Sequence, residues 1–419
     1  MSFIADLHIH SRYSRATSRD CSPERLNYWS QRKGISLLGT GDFTHALWRR
    51  ELSEKLRAIG DGFYVLRDEY VQPVDVDGPQ TKFVISGEIS SIYKKNNKTR
   101  KVHNVILLPG LEAAHKLSMA LEKIGNLHSD GRPILGLDSK ILLEMTLNVC
   151  PEALFIPAHI WTPHFSVLGA NSGFDSIEEC FEDLTPYIYA LETGLSSDPP
   201  MNWRLSALDR FALVSNSDAH SPSNLAREAN IFNCASTYDA LHKALKTNDR
   251  TAFAGTLEFF PEEGKYHADG HRNCKIRWEP SRTIKANGVC PVCGKNLTVG
   301  VLHRVEKLAD RPVGFVPEHV RSFESLVPLA HVLSACMHVG ATSKKVTREY
   351  NKLLAALGSE LHILRTVSVK DIAAVAGDKV AEGVRRMRSS ELTVLAGYDG
   401  EFGTVTLFPE DAKTDTVNV

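Results

Sequence analysis

The stretch Phe3–Ser14, FIADLHIHSRYS, places Asp6, His8 and His10 on alternate positions of an otherwise apolar run. Alternate residues of a strand share one face, so two imidazoles and a carboxylate point the same way. The run is either the polar face of an edge strand or the first part of a metal site. What stands at the ends of the other strands decides between them.

Candidate strands recur along the first 255 or so residues: FIADLHIHS, ISLLGTGDF, TKFVISGEIS, KVHNVILLP, ALFIPAHI, IYALETGL and FALVSNSDAH. Helical segments lie between most of them. SPERLNYWSQRKG has Ser22 as N-cap, Pro23 at the first helical position and Gly34 as stop. LEAAHKLSMALEKIG sets Leu111, Ala114, Leu117, Leu121 and Ile124 on one face. Seven such β/α repeats predict an α/β fold with a parallel sheet or barrel. No Gly-rich phosphate loop is present to support a doubly wound nucleotide-binding sheet.

Nearly every candidate strand ends on a metal-competent residue. These are His8 and His10, Asp42 with His45 beyond it, Glu88, His103, His159, and Asp218 with His220. In a β/α barrel the C-terminal strand ends line one mouth, so all nine residues would converge there. A single strand histidine is usually a core or surface residue; nine at the ends of different runs are not explained that way. Imidazoles mixed with carboxylates suit zinc, manganese or iron, and a bridging carboxylate lets two or three ions sit about 3.5–4 Å apart. Magnesium remains a further candidate for the barrel ions. Asp6 is expected to orient one of the histidines from behind.

The bulk properties narrow the setting. A chain of 419 residues exceeds the roughly 250–300 residues of one core. Its net charge of −1 excludes global attraction to nucleic acid and leaves local patches. No basic lead with an apolar core and no run of about 18 apolar residues is present. A cytoplasmic, nucleoid-associated protein with no membrane partner is expected. Eight cysteines, scattered except for Cys274, Cys290 and Cys293, fit a reducing compartment and one metal site.

Three regions follow: a barrel over 1–257, a metal-organised module over 258–310 and a helical region over 311–419. In the module, CPVCG supplies Cys290 and Cys293, and HADGHRNC supplies His271 and Cys274 at the same spacing. These four make a closed tetrahedral zinc site, with His267 as the alternative to His271. Basic residues cluster in YKKNNKTRK, with Lys94, Lys95, Lys98, Arg100 and Lys101, and again in TSKKVTREYNK and EGVRRMRSS. In a chain of neutral total charge they are candidates for phosphate contact. DIAAVAGDKVAEGVRRM has a Gly between two helical stretches, the form of a backbone-contacting hairpin.

DLHIHSRYS, GTGDFTH, the Glu of GEIS, AHIW and SDAH resemble the motifs of the polymerase and histidinol phosphatase (PHP) family. The resemblance implies a distorted (β/α)7 barrel with three metals that hydrolyses phosphoesters. It makes His8 and His10 the first ligand pair, Glu88 the bridging carboxylate, and Asp218 and His220 the final pair. His8, His10, Glu88 and Asp218 would form the catalytic centre. Asp42 transfers well; His45 stands three residues beyond it, where the family often has the two adjacent. With the zinc module and helical tail, the chain resembles the endonuclease Q family of DNA repair nucleases over nearly its full length. GYDGEFG near the end resembles a signature of UvrD-type helicase relatives.

That resemblance implies incision on the 5′ side of hypoxanthine, uracil, xanthine or an abasic site in double- or single-stranded DNA. Metal-activated hydroxide would attack, leaving a 3′-hydroxyl and a 5′-phosphate. Two rivals are a small-molecule phosphatase such as histidinol-phosphate phosphatase, for which the barrel alone would suffice, and a non-catalytic DNA-binding accessory, against which no ligand position is lost. A sliding clamp is a candidate partner, although the tail LFPEDAKTDTVNV lacks a Gln-plus-aromatic clamp motif.

Overall fold

The computed structural model describes residues 2–78 and 80–408, so the end of the tail from 409 on lies outside the described residues. The chain forms two compact units of mixed α/β character. One takes the chain up to Gly194, Ala207–Glu258 and His319–Glu324; the other takes Leu195–Ser206, Phe259–Glu318 and the chain from Ser325 on.

Seven strands organise the first unit: β1 (Phe3–Asp6), β2 (Leu37–Gly39), β3 (Lys82–Lys95), β4 (Lys98–Leu108), β5 (Leu154–Pro157), β6 (Ala190–Glu192) and β7 (Ala212–Val214). β1, β2 and β3 are parallel neighbours, Asp6 opposite Leu38 and Gly39 opposite Val84. β3 and β4 pair antiparallel from Ile85 opposite Leu108 to Lys95 opposite Lys98, and β4 pairs antiparallel with β5. Ile160 N donates to Glu192 O at 3.0 Å just beyond β5, and β6 runs parallel to β7. The path returns to the first strand, where His10 N donates to Ala219 O at 3.0 Å and Leu7 N to Asn216 Oδ1 at 2.8 Å.

The β3–β4 hairpin departs from the expected run of seven β/α repeats. Asn96 and Asn97 both have positive φ, 53° and 58°, the backbone of a type I′ turn whose twist matches that of the flanking strands. Two residues cannot make a parallel crossover, which needs a dozen or more. The basic stretch is therefore a hairpin tip. Helix Pro23–Lys33 starts and stops as read: Ser22 accepts from Arg25 N, and Gly34 takes φ 91°. Ala5 and Leu7 join Val84, Val105, Ile156, Ala190 and Val214 in the core, so Asp6, His8 and His10 occupy the opposite strand face.

The division differs from the expected one at two segments. Strand Ser322–Ser325 extends the first unit's sheet beside Phe253–Glu258. At Gly255 a Cβ would stand 2.1 Å from Ser322 O, so only glycine admits this neighbour. Arg321 ties the junction by donating to Phe253 O at 2.8 Å and Asn248 O at 2.9 Å. Leu195–Ser206, expected in the barrel, belongs to the second unit.

The second unit joins the cysteine module to the helical region. A short hairpin, Asp269–His271 with Ile276–Trp278, packs on a small buried cluster of Ile276, Trp278, Cys290 and Leu297, with Cys274 and Ala286 partly buried against it. Helices Val369–Ala376 and Asp378–Arg388 meet at Gly377, φ 86°, the hairpin read from the sequence. No helix of the described residues is long and apolar enough to cross a membrane.

Candidate metal centre

Glu88, in the middle of β3, lies between two sets of imidazoles. Its Oε1 is 2.6 Å from His103 Nδ1 and 3.1 Å from His159 Nε2. Its Oε2 is 3.3 Å from His10 Nε2 and 3.6 Å from His8 Nε2. Asp218 Oδ1 completes the second set, 3.0 Å from His10 Nε2 and 3.7 Å from His8 Nε2. Two groups able to hold a cation result, His8–His10–Glu88–Asp218 and Glu88–His103–His159, sharing one carboxylate.

The donor atoms fit metal. His8 Nε2, His10 Nε2, His103 Nδ1 and Asp218 Oδ1 are buried without a well-formed hydrogen bond, an arrangement that costs stability unless another partner satisfies it. Burial pulls the His8 and His10 imidazoles down, but the surrounding carboxylates more than offset it and raise both well above the ordinary value. Burial likewise opposes ionisation of Glu88 and Asp218, yet the neighbouring imidazoles hold both well below the carboxylate range. At His103 burial wins and brings the imidazole to about 4. Cations would take over the charge balance that protons supply here.

Backbone geometry marks the same residues. Asp42, His159 and Asp218 have φ of 51°, 30° and 46°. Non-glycine residues persist in this region only where the surroundings force them, commonly at functional sites.

Of the nine residues read as ligands, six meet in the two groups and three do not. Asp42 accepts from His10 Nδ1 at 3.1 Å, Ser11 N at 2.7 Å, Ser11 Oγ at 2.6 Å and Ser14 Oγ at 2.9 Å. Three of these bonds fall on Oδ2 and the one from His10 on Oδ1, and Asp42 is in neither ligand group, so it orients His10 from behind. His45 turns away, its Nε2 on His128 O at 3.2 Å and its ring stacked on Tyr13. His220 packs its ring 4.4 Å from that of His10 and bonds Asp218 O through Nδ1 at 2.9 Å. Asp6 does not orient a histidine: it accepts from Ser217 N at 3.1 Å and Ala226 N at 3.0 Å, clamping the loop that carries Asp218.

Two residues of this centre were missed. Glu192, in the quoted strand IYALETGL, holds His8 Nδ1 at 3.0 Å and accepts from His159 N at 2.8 Å and Asn216 Nδ2 at 2.8 Å. It ends a strand, the signal that picked out the others. Arg132, in the loop before Ile134–Leu135, donates to Glu88 Oε2 at 3.0 Å. Nothing in its local sequence singles it out.

In the second unit His271, Cys274, Cys290 and Cys293 converge, their ligand atoms within 4.8 Å of one another. His267 is outside this group and buried, which brings its imidazole down to about 4. Burial pushes the Cys290 thiol up, but the N–H groups of Cys293 and Val292 outweigh it and bring it to about 6.

The basic tip needs correction. Arg100 is buried, donating to Gly173 O with its guanidinium 4.1 Å from the Phe174 ring. Lys95 bonds Cys180 O at 2.9 Å and pairs with Glu182 at 2.7 Å. Both serve the fold. Lys94 and Lys98 are exposed, and Lys101 lies 5.2 Å from the Phe165 ring.

A family described as the MJ0043 C-terminal domain matches residues 328–391. The chain is 30% identical over 283 residues to the uncharacterized protein MJ0043 of Methanocaldococcus jannaschii, covering 66% of this chain and 33% of that one. The chain thus spans a third of that relative's length. It is 29% identical over 421 residues to the uncharacterized protein YqxK of Bacillus subtilis, covering 96% of this chain and 98% of YqxK. Among solved structures, it is similar to the lesion-specific endonuclease PfuEndoQ of Pyrococcus furiosus, with TM-score 0.84, 28% identity and coverage of 99% and 98% of the two chains. A structure of endonuclease Q with a 27-mer duplex substrate carrying an abasic lesion at the active site matches with TM-score 0.82, 28% identity and full coverage, 100%, of both chains.

Paired buried ligand groups sharing a carboxylate are the equipment of a metal-dependent phosphodiesterase. Within that class the chain is similar to endonuclease Q along its whole length, so the resemblance read from its motifs extends through both units.

Proposed function

We propose that this chain is a DNA repair endonuclease that hydrolyses the phosphodiester on the 5′ side of a deaminated base or abasic site, leaving a 3′-hydroxyl and a 5′-phosphate. The observation that carries the reading is Glu88 shared between two ligand groups, in a chain similar throughout to a lesion-specific endonuclease. On this reading the strand path, with its β3–β4 hairpin, would be a distorted (β/α)7 PHP barrel, and the cysteine group would hold a structural zinc. Two or three divalent ions, of zinc, manganese, magnesium or iron, would be held by His8, His10, Glu88, His103, His159 and Asp218, with His220 beside them. When bound, they supply Lewis-acid activation of water and of the phosphoryl oxygen.

The chain's own residues do the positioning. Asp42 and Glu192 hold the Nδ1 faces of His10 and His8 and so turn both Nε2 atoms inward. Glu192→Gln is expected to lower divalent-metal affinity about 10–100-fold, the usual cost of losing such a partner, measured by competition with a chromogenic chelator. Arg132 is the cation at the rim of the cluster, its side chain 27% exposed beside Glu88. Its fork suits a phosphodiester oxygen pair, which a lysine does not match. Arg132→Ala is expected to reduce kcat/KM on lesion DNA about 10–100-fold, from the roughly 1.5–3 kcal/mol of a charge-assisted hydrogen bond. Arg132→Lys should recover only part of that loss. Lys94, Lys98 and Lys101 remain as backbone contacts. Such an enzyme works in the cytoplasm on the nucleoid; a sliding-clamp partner has no support.

The test is incubation with Mn²⁺ or Zn²⁺ and labelled duplexes holding one deoxyinosine, deoxyuridine or abasic site. A nick on the 5′ side of the lesion is expected, with the undamaged duplex uncut. Phosphate release from histidinol phosphate without incision would replace this reading with the small-molecule phosphatase.

A further inference from the structure

The stretch GYDGEFG, Gly397–Gly403, has no part in the metal cluster, yet its geometry is tightly specified. Tyr398 and Glu401 exchange backbone hydrogen bonds of 3.0 and 2.8 Å across Asp399 and Gly400, whose φ values are 44° and 87°. This is again a type I′ turn. A Cβ at Gly397 would stand 2.4 Å from Gly264 O, and one at Gly403 would stand 2.0 Å from Glu262 O. Asp399 accepts from Thr298 Oγ1 at 2.6 Å and from Arg272 N at 2.8 Å, next to His271 of the cysteine group. Tyr398 is buried over Gly270, where a Cβ would meet its ring at 2.4 Å.

This rigid turn presents Phe402 to solvent, 71% exposed. Burying such a ring is worth about 1.5–3 kcal/mol, which the fold forgoes here. One cation lies on its face, and a second cation and a ring stand at the same turn, beside Gly400. Lys265 Nζ lies 4.5 Å from the Phe402 ring centroid. A Cβ at Gly400 would stand 3.7 Å from both Arg272 Nη1 and Tyr266 Oη, and Tyr266 is itself 45% exposed. Glu401 is the acidic neighbour in the turn. One exposed ring with a lysine on it is too small a surface for a protein partner's apolar face. It matches a single base with its flanking phosphates, because every base offers a π-face and every phosphate a negative charge.

We propose that Phe402, with Lys265 on its ring and Arg272 and Tyr266 at the Gly400 side of the same turn, is a stacking platform for an unpaired DNA base, the ring taking the base and the cations its flanking phosphates. The proposal rests on the reading of the chain as a DNA endonuclease and adds a contact made by the zinc-bearing unit.

The test uses the full, metal-loaded chain and a lesion-free single-stranded oligonucleotide carrying 2-aminopurine. Wild type is expected to bind and quench the fluorophore. Phe402→Ala should lose the quench and bind about 10–100-fold more weakly, from the stacking contribution of one base. Phe402→Trp should restore both, and Phe402→Leu neither. Binding and quenching by Phe402→Ala equal to wild type, or rescue by Leu as good as by Trp, would overturn the platform. If Phe402→Ala fails to retain its zinc, Lys265→Gln decides: binding equal to wild type at every salt concentration overturns it, and a flatter salt dependence supports it. Wild-type incision of an abasic duplex separates the two readings. With incision intact and Phe402→Ala unchanged, only the platform falls; if wild type neither binds nor cuts DNA, both fall.

Discussion

Asp218→Asn is expected to fold as wild type does and to lose incision by about 10²–10⁴-fold, the several kcal/mol that a metal ligand contributes to charge stabilisation. The fold survives for local reasons. Asp218 has φ 46°, a conformation that asparagine tolerates better than most residues. Its loop is held by other groups: Asp6 accepts from Ser217 N and Ala226 N, and Arg227 donates to Ser217 O at 2.8 Å and Asp218 O at 3.3 Å. The amide is a neutral and weaker ligand facing His10 and Glu88. Without metal, His10 and His8 stabilise the ionised Asp218 more than Glu88 repels it, so the chelated variant should melt somewhat lower than wild type. The rise in Tm on adding Mn²⁺ should shrink, because the stabilisation from binding grows with the logarithm of ligand concentration over Kd. Gel-based incision assays and melting with and without Mn²⁺ check both parts. Normal cutting by this variant would remove Asp218 from the centre.

The parts of the site that follow from strand periodicity were legible in the sequence. His8 and His10 had to share a face, and His159 and Asp218 lie just beyond strand ends, whereas Glu88 and His103 sit within the long strands β3 and β4 rather than at their ends. Periodicity cannot separate an atom that faces a cation from one that holds a ligand from behind. Asp42 has the same position in its motif as a ligand would, and only its four hydrogen bonds, to His10, Ser11 and Ser14, assign it. Glu192 was readable by the rule applied to its neighbours. Arg132 was not, since its partner Glu88 is 44 residues away in sequence. The Asn96–Asn97 pair between two β-rich runs was a legible hairpin signal; reading every strand as part of a β/α repeat concealed it. The long-range strand Ser322–Ser325 follows from packing at Gly255, for which a single sequence holds no local sign.

Cys290→Ser is expected to cost the second unit one equivalent of zinc and with it the fold of the module. The hydrophobic cluster beside the cysteines is small, Ile276, Trp278, Cys290 and Leu297 with Cys274 and Ala286 against it, so Cys290 is one of its members. Structural zinc supplies on the order of 10–16 kcal/mol to small modules, far more than so small a cluster can replace. The native thiol is prepared for the ion: N–H groups of Val292 and Cys293 bring it to about 6 despite burial. Gly294, φ 72°, lets its own N–H return to Cys290 O at 2.9 Å. Serine keeps the size but offers an alcohol that does not ionise at neutral pH. Limited proteolysis should therefore nick the variant within 258–300, and metal analysis should show one zinc fewer while the barrel ions remain. His271 and His267 give the internal contrast. His271 Nδ1 lies 3.4 Å from Cys293 Sγ, so His271→Ala should share the Cys290→Ser behaviour. His267 lies outside the ligand group, so His267→Gln should keep its zinc; loss of zinc there would reverse the assignment of the fourth ligand.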